Sequence, residues 1–316
     1  MKAISIKEFG DRSVLQLAEV EKPEPGEGEV LVRIKAAGVN PVDAKVREGK
    51  LQGRMPNKLP LIPGWDLAGE VLENGHSARR FKPGDNVWGY ARRTILQHGT
   101  YAQYIALPES YITRMPSGLN FEEAAAVPLA ALTAYQSVID QGKLSAGQHL
   151  LVLGASGGVG SFAVQFGKAV GATVTAVAGS GREEYLRSIG AGQVIDYTKG
   201  DVVEQFRKLT PEGADVVFDC VGGETSEKAY ECAKENGRVV SILARVNEEL
   251  AAKHKVHFRY VFVEPNVPEL DQISEWIDAG KVKVHLQQVF DLKDAAAAHE
   301  QIETGHTQGK IVLRVP

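Results

Sequence analysis

An apolar run, Leu150-Leu151-Val152-Leu153, passes directly into Gly154-Ala155-Ser156-Gly157-Gly158-Val159-Gly160, and this junction constrains the chain more than any other stretch. A strand covered on both faces reads as a continuous apolar run. Gly154 lets such a strand end in a tight turn. Gly157 stands where a dinucleotide pyrophosphate would approach the backbone, and Gly160 lets the following helix, Ser161 to Lys168, pack closely on the sheet. The start of that helix offers N–H groups and a positive dipole end to phosphates. A glycine pattern alone is a weak signal. Here it has a strand before it, a helix after it and an alternating array around it.

The array begins at Asn120, where Asn120-Phe121-Glu122-Glu123 has the form of a capping box and predicts a helix through Asp140. Strands are then expected at 150–153, 173–177, 193–195, 215–218, 238–242 and 258–263, with helices from Arg182, Val202 and Thr225 between them. Strands joined by helical crossovers predict an α/β fold with a doubly wound parallel sheet. Residues 1–119 differ: period-two alternation at 29–35, 69–73 and 101–106 is punctuated by Pro/Gly turns, which predicts a β-rich domain. After Pro265 the pattern is helix, strand, helix, strand, ending in Lys310-Ile311-Val312-Leu313-Arg314-Val315. That tail is too small for its own core, so it is expected to return to the first domain. The resulting division is 1–120, 121–264 and 265–316.

Charge excludes some functions. Thirty-six Lys and Arg against forty Asp and Glu leave −4, with no basic surplus for nucleic acid. No apolar run approaches the ~18 residues of a membrane span. Met1 to Lys7 goes straight into strand-like alternation, so no cleaved signal is expected and the cytoplasm is the default compartment. Cys220 and Cys232 are too few for a disulfide framework or a four-Cys zinc site. Cys220 reads as a buried core thiol, Cys232 as a helical residue without a partner, and His254 with His257 as surface histidines in a Lys-rich stretch. No metal is expected.

The cofactor choice turns on the end of the second strand. NAD sites usually carry an acid about twenty positions after the glycines, where it accepts from the ribose 2′-OH. Here Val177-Ala178-Gly179-Ser180-Gly181-Arg182 contains none. Ser180 and Arg182 suit a 2′-phosphate, which predicts NADPH. The other reading makes Ser180 a helix cap and Arg182 a solvated cation.

Taken together, the β-rich start, Gly-Ala-Ser-Gly-Gly-Val-Gly at 154–160 and the returning tail resemble the medium-chain dehydrogenase/reductase superfamily over the whole chain. The resemblance implies a GroES-like first domain and a Rossmann second domain. Where zinc alcohol dehydrogenases of that family hold metal, this chain reads Gly38-Val39-Asn40-Pro41-Val42-Asp43 and Pro63-Gly64-Trp65-Asp66. It therefore resembles the zinc-free quinone oxidoreductase branch. Asn40 to Gly49 and His306-Thr307-Gln308-Gly309-Lys310 look most like the alkenal/enone reductases, which use NADPH to reduce a C=C bond conjugated to a carbonyl. By this resemblance Asn40 would lie near the nicotinamide and Thr133 beside the cofactor. Ser156, Gly157, Gly158 and Val159 would hold the pyrophosphate. Ser180, Arg182 and Tyr197 would surround the 2′-phosphate. Val221, Gly222, Ile242, Leu243, Phe262 and Val263 would line the nicotinamide side. Lys45 replaces a Tyr found in many quinone reductases, which favours the enone branch.

Hydride delivered to an enone β-carbon or a quinone builds negative charge on the carbonyl oxygen, which needs donors. Lys45 either supplies one or is a solvated lysine. Asn40 either donates its amide or only fixes its loop. Asp43 and Arg47, spaced i, i+4, read as a local pair. Trp88 and Tyr90 either line a substrate slot or pack in the core. Two other functions fit the glycine loop: a zinc-free alcohol or sugar dehydrogenase, and a non-catalytic NADPH-binding protein. Residues 259–263 could form a sheet edge that pairs with a second copy, so monomer and homodimer both stand.

Overall fold

The computed structural model describes all 316 residues. Contacts divide the chain into two units: Met1–Leu129 with Pro265–Asp278 and Val284–Pro316, and Ala130–Glu264 with Ala279–Lys283.

The second unit is built on six strands, His149–Leu153, Thr173–Ala178, Gln193–Asp196, Ala214–Asp219, Ala233–Ser241 and His257–Tyr260. Every neighbouring pair is parallel, and the spatial order is third, second, first, fourth, fifth, sixth. This is the doubly wound order of dinucleotide-binding sheets. The central strand is apolar from Leu150 onward because helices cover both of its faces, and Leu150 to Leu153 are essentially inaccessible. Phe206, Val217, Tyr230 and Val239 join Leu151 and Leu153 in one core cluster.

Three expectations change here. The single helix expected from Asn120 to Asp140 is broken into Phe121–Ala125, Pro128–Tyr135 and a π-helical turn Gln136–Gln141. Pro128 causes the first break, since proline lacks the N–H and disfavours helical backbone in the residue before it. The capping box at its start is present, with Asn120 and Glu123 exchanging side-chain-to-backbone bonds of 2.9 and 3.0 Å. The sixth strand ends at Tyr260, so Val261 to Val263 lie beyond it. A further helix, Glu248–His254, capped by Asn247, occupies the charged stretch before that strand, and His254 is half-buried within it.

The first unit centres on a seven-stranded sheet. Its order runs Leu286–Asp291, Lys310–Arg314, Glu29–Val39, Asp66–Asn74, Asn86–Tyr90, Ile112–Arg114, with Tyr104–Pro108 also paired to Glu29–Val39. The returning tail thus completes this sheet, with Leu286–Asp291 at its edge and Lys310–Arg314 inside it. Lys310–Arg314 pairs antiparallel with Glu29–Val39, Val312 opposite Gly38 and Leu313 opposite Ala37. Trp88 and Tyr90 are core residues at 0% exposure, so neither lines a slot; the Tyr90 ring packs 6.0 Å from that of Trp65. No helix is long and apolar enough to cross a membrane.

Candidate functional site

In the glycine turn, Gly154 has φ +78°, a conformation side chains rarely adopt. Its N–H and that of Ala155 both donate to the Val177 carbonyl, at 3.2 and 2.9 Å, tying the turn to the second strand. A Cβ on Gly160 would lie 2.3 Å from the Gly154 carbonyl oxygen, so the helix Gly158–Ala169 rests directly on the turn. Gly157 caps that helix, and a Cβ there would meet only the Gly154 oxygen, at 3.5 Å. Nothing in the protein crowds position 157. Ser156, Gly157, Gly158 and Val159 are half-buried around the helix start, whose first N–H groups lack intrahelical partners. The turn therefore fits a dinucleotide pyrophosphate.

The loops after the fourth and fifth strands are shaped by one carboxylate. Asp219 is fully buried; its Oδ1 accepts the N–H of Val221 at 2.9 Å and of Gly222 at 3.0 Å. Its Oδ2 accepts the hydroxyls of Ser226 and, at 2.8 Å, Ser241. Ser241 Oγ accepts in turn from Leu243 and Ala244 N–H groups. Val221 and Leu243 are left 48% and 46% exposed, large apolar groups at the carboxyl edge of the sheet. Ile242 and Phe262 are half-buried, while Val263 and Thr133 are buried, the latter on the helix Pro128–Tyr135. Cys220 is half-buried at this edge rather than in the core; Cys232 is buried. Asp219 was missed in the sequence, although an acid ending Val216-Val217-Phe218 is a visible signal.

At the ends of the second and third strands, Ser180 is exposed and donates to Asp196 Oδ2 at 2.7 Å. Asp196 Oδ1 accepts from the Thr198 hydroxyl at 2.7 Å and its N–H at 2.9 Å, and Lys199 Nζ stands 3.5 Å from Oδ2. The Ser180 and Thr198 hydroxyls hold the Asp196 carboxyl down to about 2. Tyr197 is 53% exposed, with its hydroxyl against Gly179. Arg182 is half-buried and itself occupies the cap position of the helix Glu183–Ser188, so Ser180 is not that cap. The structure brings Ser180 and Tyr197 to one sheet edge. It also brings an acid, Asp196, from the third strand to the edge where the second strand has none.

In the first unit, Asn40 and Lys45 belong to the short helix Pro41–Arg47 and its cap. Lys45 is half-buried, and its ammonium makes no hydrogen bond or ion pair. Asn40, 1% exposed, turns inward: Nδ2 donates to Asp66 Oδ2 at 2.9 Å and Oδ1 accepts from Lys310. Lys310 is buried and also reaches the Val39 carbonyl at 3.2 Å, while Asp66 Oδ1 accepts the Leu129 N–H at 2.8 Å. Burial pushes the Asp66 carboxyl up to about 6, against the opposing pull of Lys310.

Asp43 and Arg47 are not partners. Asp43 Oδ2 accepts the Asn40 N–H at 2.8 Å and the Tyr101 hydroxyl at 3.1 Å; Arg47 bonds His299 Nδ1 at 3.1 Å, Glu48 at 3.0 Å, the Gly10 carbonyl at 3.2 Å, and Glu303. Tyr101 and His299 Nε2 join the two ends at 3.3 Å. Arg47 can only donate, so His299 Nδ1 accepts, Nε2 carries the proton toward Tyr101, and Tyr101 donates to Asp43. Burial drives His299 down to about 3, with Arg47 adding to the effect, and raises Asp43 to about 7.

Known proteins match throughout. Residues 26–117 fit a family model described as an alcohol dehydrogenase GroES-like domain, and residues 189–313 one described as a zinc-binding dehydrogenase. A 2-methylene-furan-3-one reductase of Solanum lycopersicum is 38% identical, with 99% of this chain and 79% of that protein aligned. The chloroplastic NADPH-dependent alkenal/one oxidoreductase of Arabidopsis thaliana is 36% identical with the same coverage, 99% and 79%. The structure of Escherichia coli quinone oxidoreductase complexed with NADPH is 29% identical, covers 99% of this chain and 100% of its own, and superposes with a TM-score of 0.90.

Proposed function

Because the chain belongs to the medium-chain dehydrogenase/reductase superfamily, alongside its quinone oxidoreductases and alkenal/enone reductases, we propose that it reduces a quinone or an enone/enal with NADPH. The observation that carries this is the contact of Gly160 with the Gly154 carbonyl, which sets a helix start against an uncrowded turn. NADPH supplies hydride when bound. The chain's own task is to hold it, exclude water and place donors at the carbonyl oxygen that becomes negative.

Lys45 is the first such donor, since its ammonium has no partner within the protein. Asn40 is the second, through the Nδ2 hydrogen not given to Asp66. Zinc has no part in this reading. Asn40 and Trp65 stand where the zinc-dependent relatives carry ligands, and no three His, Cys, Asp or Glu side chains are grouped to hold a metal. Chelator dialysis should leave activity and Tm unchanged, and a stoichiometric zinc by elemental analysis would overturn the assignment. We place the enzyme in the cytoplasm, as a monomer or a homodimer formed through the sheet edge at His257–Tyr260.

The test is NADPH oxidation across a panel of quinones and enones. Turnover of at least one is expected; NADPH binding without any turnover would make the chain a non-catalytic binder. On an enone that turns over, Lys45→Ala should lower kcat by ~10²–10³ with KM little changed, because the charge develops in the transition state. A fall below about threefold would return Lys45 to the solvent.

A further inference from the structure

The glycine turn and the Ser180 edge lie in one unit, and Asp196 is the charged group at that edge with no part in the reading above. In this fold an acid ending the second strand accepts from the adenosine ribose 2′-OH. That strand ends without one, at Gly179 to Arg182. The sheet register, however, sets Asp196 directly beside Ala178, so the third strand carries a carboxylate to the same edge from one strand away. Ser180, at 2.7 Å, and Thr198, with two bonds, hold that carboxylate in place. With its single proton given to Asp196, the Ser180 hydroxyl has only lone pairs to offer a phosphate. Lys199 Nζ stands 3.5 Å from Asp196, and Arg182 lies at the start of the helix that follows the second strand.

We propose that Asp196 is the specificity-determining residue at the adenosine ribose: it accepts a 2′-hydroxyl, repels a 2′-phosphate, and so lets the chain use NADH beside NADPH. The proposal rests on the dinucleotide reading of the same unit. A 2′-phosphate carries about −1.5 to −2 at neutral pH. One further negative charge a few ångströms away, in partly solvated surroundings, changes binding by about tenfold.

Calorimetric titration of the full chain with adenosine 2′,5′-bisphosphate and with 5′-AMP tests this without any turnover. In Asp196→Asn the carboxamide oxygen can still take the Thr198 bonds, and its NH₂ can donate to Ser180, freeing the serine proton. The expected result is about tenfold tighter 2′,5′-bisphosphate, with 5′-AMP unchanged or a few-fold weaker. If Asp196→Asn fails to fold, Asp196→Ala should move the ratio of the two affinities in the same direction. An unchanged or reversed ratio, with both ligands binding the wild type, would overturn the role of Asp196 alone. Binding of neither ligand to the wild type would remove the dinucleotide reading and this proposal with it.

Discussion

The two units hold their buried acids in opposite ways. Asp219 meets four donors, from residues between 2 and 22 positions away, and every one of them is neutral. Asp43 and Asp66 instead sit among charges and partners drawn from across the first unit. Tyr101 is 58 positions from Asp43, and His299 is 252 from Arg47. Asp43 Oδ1 has no hydrogen-bond partner. A carboxylate satisfied by neighbouring N–H and O–H groups shapes two loops; one buried among distant charges makes each charge depend on the others.

Lys310 puts that contrast under the greatest load. Lys310→Met leaves Asp66 and the Asn40 amide facing an apolar side chain, and should cost ~3–5 kcal/mol of stability in urea unfolding. Pairing it with Asp66→Asn removes the uncompensated charge and should recover much of the loss. A double variant no more stable than the single one would mean that packing, rather than charge, sets the effect. Next, Asp219→Ala leaves only neutral donors unpaired, at ~1–3 kcal/mol for each one that water cannot reach. A loss there equal to that of Lys310→Met would erase the distinction between the units.

The smallest effect is in the wild-type pH profile. Asp43, raised to about 7, binds more protons folded than unfolded above its ordinary 3.8, so its contribution is present in acid and lost as pH rises toward 7. His299, lowered to about 3 from 6.5, stays neutral while the unfolded chain protonates, so its contribution is lost as pH falls from 6.5 toward 3. Asp66, raised to about 6, adds to the Asp43 slope, and the His299 slope opposes both. Asp43→Asn should tilt the stability profile upward with pH, and His299→Gln should tilt it downward. Variants that tilt the same way would show that the two groups do not titrate as separate parts of the network.

What could be read from the sequence followed the same divide. The glycine turn was legible because strand, turn and helix are contiguous, so short-range sterics decide it. The return of 310–315 was legible from the lack of any core of its own. Asp43 and Arg47 misled because i, i+4 spacing places two residues on one helix face without saying that the face is buried. Their true partners, Tyr101 and His299, arrive from remote segments that no local pattern marks. Asp196 is not legible from the second strand, because sheet pairing brings the acid from the neighbouring strand. Pro128 lies inside an apolar, alanine-rich run that otherwise reads as continuous helix, so the break it causes is masked.

The strand Lys310–Arg314 sits between Leu286–Asp291 and Glu29–Val39, and Lys310 closes the polar cluster beneath Asn40. The second unit needs only residues up to Lys283, whose backbone N–H and C=O both bond the buried Gln165 amide at 2.7 and 3.1 Å. During synthesis at ~5–20 residues per second, the unit begun second can therefore close first. The unit begun first must wait with Ala36–Val39 unpaired along one edge, and with Asp43 and Arg47 still in water. Their burial is thereby deferred until the counter-charge of Lys310 and the ring of His299 have left the ribosome.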